Sequence, residues 1–245
     1  MWQVPEIWKD GECWILGGGP SVTEQFGIPK KVVQSVIEGK ATPNAYSPYM
    51  SSIHNKHVIG INMSYKIGDW IDIVFFGDNS FFLREKNNLA AFPGIKVSSH
   101  PQVEKYPWVK YTGRDTRHPK GISTNPKMIS WNGNSGAAAI SLAAHLGVKR
   151  IILLGFDMKL DDAGKQHWHD LYHRLENLKQ QPVPNQRNKP GGLPFNRHLL
   201  GFPEIAKDAK RMGIEIINAC PESAIQDFKK VNVCDLVNVE KLELV

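Results

Sequence analysis

The sequence predicts an α/β fold, a mostly parallel sheet with helices on both faces. Three observations predict it. Short apolar runs recur at residues 13–16, 57–61, 72–76, 150–154 and 214–217, with a weaker one at 95–98, and runs of that kind mark strands buried on both faces. Between them stand stretches with helical spacing and helix stops, the layout of a sheet built by crossovers. The runs end at Gly17, Asn62, Gly77, Gly155 and Asn218, and the carboxyl ends of strands are where open α/β sheets bind ligands.

The first strand, 13–16, runs straight into Gly17-Gly18-Gly19-Pro20-Ser21. Proline suits a first helical position, and a strand–glycine–helix passage brings backbone N–H groups close to an anion. No Gly-Lys-Ser/Thr follows, so this is not a Walker loop; Ser21-Val22 stands where GxGxxG needs its last glycine. A ligand loop and a tight turn needing positive φ both remain open. Residues 39–56, polar with two prolines, read as a loop over the surface. Strands 57–61 and 72–76 end in Asn62 and in Gly77-Asp78-Asn79, short polar groups suited to ligand contact and equally to turns. Residues 99–133, rich in Pro, Trp, Tyr and Arg, read as an irregular insertion.

The stretch 134–157, NSGAAAISLAAHLGVKRIILLGFD, organises the rest. Asn134 or Ser135 offers an N-cap oxygen, Gly136 permits close approach, and alanines make a helix that lies flat on a sheet. Gly147 stops it, strand 150–154 follows, and Asp157 sits past the strand end. A helix over 168–179 places Trp168, Leu171, Tyr172, Leu175 and Leu178 on one face. His169, His173 and Glu176 form a neighbouring stripe whose spacing suits a divalent metal, but the HExxH glutamate is missing, and the stripe is read as solvated with no metal bound. Residues 180–197, with four prolines, form a loop of the length that serves as a lid. His198 follows it, then a helix over 203–212, strand 214–217, Pro221-Glu222-Ser223, and a tail from Lys229 that is either an edge strand or loosely docked. One domain spans 1–228, with a tail at 229–245.

At 245 residues the chain can bury a sizeable core, and its net charge of +6 favours anionic partners. Three cysteines, Cys13, Cys220 and Cys234, are too few and scattered for a disulfide framework or a zinc knuckle. No run approaches a membrane span, and the first residues lack a signal-peptide layout, so the expected compartment is the cytoplasm.

The motifs GGGPSV at 17–22, the 134–157 stretch continued by Met158, and IINACPES at 216–223 occur in the order seen in a known group. Together they resemble the bacterial sialyltransferases of glycosyltransferase family 42 and the wider DUF115-like Rossmann proteins, which include pterin pyrophosphokinase-like members. The run GFDM…HWHD…H is similar to uncharacterised phage-encoded proteins of that group, which would put the chain in a host-cell cytoplasm. The resemblance implies a Rossmann-like, GT-A-like single domain with lid loops, using a nucleotide sugar, CMP- or UDP-linked, as co-substrate without a tightly bound cofactor. It also implies roles. Gly17, Gly18, Gly19, Pro20 and Ser21, with Asn134, Ser135 and Gly136, would hold phosphate and ribose. Asn62 and Asp157 would contact the donor. Pro221, Glu222 and Ser223 would flank the base or ribose. His198 would be the catalytic base. Asp78 stands where that family has Asn-Pro after its third strand, and its place at a strand end, not the resemblance, makes it a second catalytic candidate.

The expected activity is therefore sugar transfer from a nucleotide sugar to a hydroxyl of a glycan or a modified nucleobase. Such chemistry needs an anchored phosphate, a base for the acceptor proton, and charge stabilisation at the leaving phosphate, where Arg187, Lys189 and Arg197 are candidates. His167 and His169 compete with His198 for the base. Two alternatives stay open. A pyrophosphokinase would need ATP and Mg²⁺ on carboxylates such as Asp78, Asp157, Asp161 and Asp162. A DNA-associated protein would use the basic residues of 179–211, without any helix-turn-helix or finger pattern. A homo-oligomer is compatible with either activity.

Overall fold

A computed structural model describes residues 1–169, 171–172 and 194–239. In chain order its strands are β1 (Glu12–Leu16), β2 (His57–Ile61), β3 (Ile73–Phe76), β4 (Ile95–Ser98), β5 (Val109–Tyr111), β6 (Gly113–Arg114), β7 (Met128–Ile129), β8 (Arg150–Leu154), β9 (Glu215–Asn218) and β10 (Lys229–Lys230). Eight of them form one sheet in the order β10-β9-β8-β1-β2-β3-β4-β5, with every pairing parallel. The expected strands are all present. Strand order reverses between β1 and β8, which pair in register from Glu12↔Arg150 to Leu16↔Leu154. A crevice opens at such a switch point because neighbouring connections leave to opposite sides.

The two-residue period of the strands sorts their side chains into two cores. Trp14, Leu16, Val58, Val74, Phe76, Ile152 and Leu154 face one side. There they meet side chains of α1 (Ser21–Gln25), α2 (Lys30–Glu38), α3 (Asn79–Ala91) and the 3₁₀ segment Pro43–Ile53. Cys13, Ile15, Ile59, Phe75, Ile151 and Leu153 face the other. That side is covered by α4 (Ser135–His145), α6 (Phe202–Met212) and the N-terminal residues Val4 and Trp8. Between α4 and α6 in the chain lies the short α5 (Phe195–Leu199). In α4 the alanines Ala137, Ala138, Ala139 and Ala143 are wholly buried. Their small side chains let the helix backbone approach the sheet. The Asn134 Oδ1 caps it by accepting from the Ala137 N–H at 2.8 Å.

Two expectations are corrected. Residues 43–53 are not a surface loop, because Tyr46, Met50 and Ile53 are fully buried beneath the sheet. The aromatic and aliphatic residues spaced through that polar stretch form a 3₁₀ helix with an apolar side. Residues 99–133 are not an irregular insertion either. β5 extends the main sheet beside β4, and β6 and β7 pair with each other. The rest is pinned by polar contacts. The buried Asp115 accepts from the Ser123 hydroxyl at 2.6 Å and from the Arg117 and His118 N–H groups. The Ser141 hydroxyl of α4 accepts from Ser123 and Ser130 N–H. Strands of two or three residues have no periodic signal, and backbone-directed polar bonds leave none either.

The tail does form an edge strand, β10 pairing with β9. Most of the predicted helix at 168–179 and lid at 180–197, including His173, Glu176, Arg187 and Lys189, lies outside the described residues, as do 240–245.

Candidate active site

The carboxyl ends of β8, β1, β2 and β3 surround an open cleft. Gly17–Gly19 form its floor. The first turn of α4, with Asn134, Ser135 and Gly136, forms one wall; Asn62 and Asp78 stand at the ends of β2 and β3. Met158 and Lys159 follow β8, and His167, His169, Tyr172, Arg197 and His198 complete the rim. The candidates Gly17, Gly18, Gly19, Asn62, Asp78, Asn134, Ser135, Gly136, Asp157 and His198 are thus brought together from six segments.

The glycine loop is tight for a reason the sequence did not show. None of Gly17, Gly18 and Gly19 has positive φ. Each is small because something sits against it. A Cβ on Gly17 would lie 2.7 Å from the Gly155 carbonyl oxygen, one on Gly18 2.9 Å from His167 Nδ1, and one on Gly19 1.8 Å from Asp157 Oδ2. The loop also uses its own polar groups. Gly17 and Gly19 N–H donate to the Leu154 and Gly155 carbonyls. Trp168, 1% exposed, donates its backbone N–H to Gly18 O and its indole N–H to Gly17 O. Ser64 Oγ donates to Gly17 O as well. Among the described residues only the Gly18 N–H of these three glycines lacks a protein acceptor.

Asp157 explains the rest. Its carboxylate accepts from the Ser21 N–H at 3.0 Å and the Ser21 hydroxyl at 2.8 Å. It therefore caps the start of α1, behind Pro20. Burial pushes its pKa up, while the bonds from Ser21 pull the other way. The nearby Cys220 thiol is pushed up to about 11, by burial first and then by the Asp157 charge, and stays protonated near neutral pH.

The first turn of α4 presents backbone donors instead. Asn134 satisfies the Ala137 N–H, which leaves the Ser135 and Gly136 N–H groups at the open end of an 11-residue helix facing the cleft. Unpaired N–H groups at a helix start, together with the helix dipole, favour negative charge. The Asn134 side chain has a second partner: its Nδ2 donates to the His198 carbonyl at 3.2 Å. One asparagine thus joins the start of α4 to the short helix carrying His198.

The His198 imidazole is half-buried, and its pKa is lowered to about 4, by burial first, then by Arg197 and His167. It is neutral at neutral pH. An Arg197 Nη2 lies 3.3 Å from its Nε2. Arginine can only donate, so Nε2 accepts and Nδ1 carries the proton. His167 and His169 stack with ring centroids 5.3 Å apart, and Tyr172 meets both edge-on. Asn62, at φ 50°, hydrogen-bonds the Tyr172 hydroxyl. Its Oδ1 is buried without a hydrogen-bond partner among the described residues.

Other candidates fall elsewhere. Pro221, Glu222 and Ser223 do not line the cleft. The Ser223 hydroxyl donates to the Phe156 carbonyl at 2.6 Å, so this turn braces the wall from behind, and the Glu222 side chain is 87% exposed. Pro20 and Ser21 likewise sit behind Asp157. Asp161 accepts from Ala163 and Lys165 N–H in its own turn. No three His, Cys, Asp or Glu side chains converge as for a metal among the described residues. Of the basic residues in 179–211, Lys207 and Arg211 are paired with Glu204 and Asp208. Sequence reasoning missed Trp131, whose ring lines the cleft beside Asp78, and the clamp made by Trp168. An aromatic shortly before a helix N-cap and the His-Trp-His run were their only signals.

No helix among the described residues is long and apolar enough to cross a membrane. No protein-family model matches the chain, and no curated protein matches its sequence. Among solved structures it is similar to the sialyltransferase CstII from Campylobacter jejuni. Its complex with cytidine-5'-monophosphate gives a TM-score of 0.48 at 14% identity, over 90% of this chain and 84% of that one. The complex with CMP-3FNeuAc gives 0.47 at 16% identity, over 90% and 85%. It is also similar to the MAf glycosyltransferase from Magnetospirillum magneticum AMB-1, with a TM-score of 0.55 at 11% identity, over 94% of this chain. The chain spans about a third, 34%, of that protein's length. At such identity the likeness is one of fold: this chain has a Rossmann-like α/β architecture that a glycosyltransferase also has.

Proposed function

We propose that the chain transfers a glycosyl group from a nucleotide-activated sugar to a hydroxyl of a glycan or nucleic acid, with His198 as general base. The observation that carries the reading is the pairing of a neutral imidazole with an open helix start in one cleft, joined through Asn134. In the step, the acceptor oxygen bonds to the anomeric carbon as the bond from that carbon to the donor phosphate oxygen breaks. The acceptor hydroxyl replaces Arg197 at His198 Nε2, the unprotonated nitrogen, its proton passes to that nitrogen, and the phosphate leaves with the bonding electrons. Its developing charge falls to the Ser135 and Gly136 N–H groups and to Lys159, donors set in place before the reaction. Because His198 is a weak base, the proton is transferred as the new C–O bond acidifies the acceptor hydroxyl, not before.

Support comes from the order of motifs resembling glycosyltransferase family 42 and from the fold shared with a glycosyltransferase. Of the carboxylates that pyrophosphoryl transfer would need for Mg²⁺, Asp157 and Asp161 are committed to Ser21 and to a turn, and Asp78 is the one uncommitted candidate lining the cleft among the described residues, which favours glycosyl transfer. A thermal-shift screen of nucleotides and nucleotide sugars tests it, because a ligand of the native state raises apparent stability. A nucleotide-dependent shift that disappears when Gly136 is replaced by a bulky residue is the expected result. No shift with any nucleotide would refute the reading.

A further inference from the structure

The cleft is electrically lopsided. Lys159 and Arg197 stand by the β8 side, while Asp78, exposed, stands at the end of β3. β8 and β3 are three strand steps apart, roughly 14 Å at the spacing of hydrogen-bonded strands. Beside Asp78 is the indole of Trp131. Its ring presses on Gly77 so closely that a Cβ there would lie 2.1 Å from a ring carbon. The Arg114 guanidinium covers one face of the ring, 3.7 Å from its centroid. That guanidinium is held in turn: an Nη2 donates to the Gly77 carbonyl at 2.6 Å and Nε to the Ser99 hydroxyl at 3.2 Å. It does not line the cleft, whereas Trp131 does. A positive-φ pair, Asn132 at 54° and Gly133 at 83°, turns the chain from Trp131 to the Asn134 cap. Asn132 is fixed by three bonds, from Gly121 N–H and to Gly121 O and Ser130 O. The ring is therefore a rigid platform, backed by a cation and lining the cleft, and the Asp78 carboxylate, within electrostatic reach of that cation, lines the cleft too.

Such a pair has a definite chemistry. The C–H face of a pyranose is apolar with outward partial positive charge and stacks on the negative face of an aromatic ring. A carboxylate accepts bidentate bonds from neighbouring hydroxyls and repels another carboxylate. Resting on the nucleotide-sugar reading above, we infer that Trp131 and Asp78 form the sugar subsite and that this subsite takes a neutral pyranose, not an acidic sugar. Nucleotide phosphate lies at the α4 start and Lys159; the sugar reaches toward β3.

Isothermal titration of the full chain with UDP, GDP and CMP, and with UDP-glucose, GDP-mannose and CMP-N-acetylneuraminate, tests it through the ratio of each sugar's affinity to that of its own nucleotide. A neutral hexose should tighten binding by about five- to tenfold over the bare nucleotide, the scale of one aromatic stack. CMP-N-acetylneuraminate should bind no better than CMP. Trp131→Ala should abolish the gain with nucleotide affinity unchanged; Trp131→Phe should keep most of it; Asp78→Asn should lessen it and improve CMP-N-acetylneuraminate. Unfolding midpoints check that each variant folds, and if Trp131→Ala fails to fold, the Phe and Asn variants decide. Absence of any gain for a neutral sugar, a gain for the acidic one, or a gain surviving Trp131→Ala overturns the subsite while leaving nucleotide binding intact. Absence of all nucleotide binding overturns the transferase reading and the subsite with it.

Discussion

The pH dependence of turnover is the sharpest test of His198. The base must be neutral, so activity rises as pH climbs through the imidazole pKa. With that pKa near 4, burial being the main cause and Arg197 the next, the ring at pH 5.5 is about 97% neutral. An unperturbed imidazole titrating near 6.5 would be only about 9% neutral there, so roughly a tenfold rate difference rests on its surroundings. Replacing Arg197 by Gln removes a positive charge whose Nη2 lies 3.3 Å from Nε2. Protonation then becomes easier, the pKa rises, and the acidic limb of the profile moves to higher pH. Burial remains, so the limb stays below 6.5. Removing His198 altogether, by His198→Ala, should lower turnover by about a hundredfold or more and erase this limb. The assay is single-turnover transfer between pH 4 and 8, with the donor found by the nucleotide-sugar screen. The reasoning fails if the limb stays put in Arg197→Gln, or if His198→Ala keeps wild-type turnover.

Three further outcomes are expected. Asn134→Asp keeps the oxygen that caps α4 but loses the donor to the His198 carbonyl; unfolding should change little while turnover drops, whereas Asn134→Ala should also lose about 1 kcal/mol of stability in urea. Equal effects on turnover and stability in Asn134→Asp would show the bond to be only structural. Gly19→Ala drives a methyl into Asp157 Oδ2 and must break the Ser21 bonds, a cost of about 2–4 kcal/mol by denaturation, and an unchanged midpoint would contradict the packing. Stability should also fall as pH drops from about 6.5 toward 4. The rings of His54, His100, His145 and His198 are all held below their ordinary pKa, chiefly by burial, so in that window the unfolded chain binds protons that the folded one refuses. Urea midpoints at pH 7 and pH 5 measure it; a higher midpoint at pH 5 would count against it.

The sheet was legible because its cause is local. Five apolar runs between glycines and short polar residues can be satisfied only as buried parallel strands, and β1, β2, β3, β8 and β9 sit where those runs predict. The helix start at Asn134 was legible for the same reason, since an N-cap is a contact between neighbours three residues apart. By itself, then, the amino-acid order determined the fold class, the strand ends that face the cleft, and most of the residues gathered there.

What only the tertiary structure decided are contacts across long stretches of chain. Asp157 and Gly19 are separated by β8 and nearly the whole of the first half of the protein, so nothing local shows that the glycines are small to admit a carboxylate and His167. The same holds for Trp168, which grips the carbonyls of Gly17 and Gly18, and for Trp131, which becomes a wall of the cleft only because Arg114 and Gly77 lie behind it. The turn at 221–223 shows the converse: its motif was visible, but its hydroxyl is spent on Phe156, on the far side of the wall. Periodicity and capping act within a few residues and can be read from order alone; which side chain finds which partner depends on the packing of the whole chain.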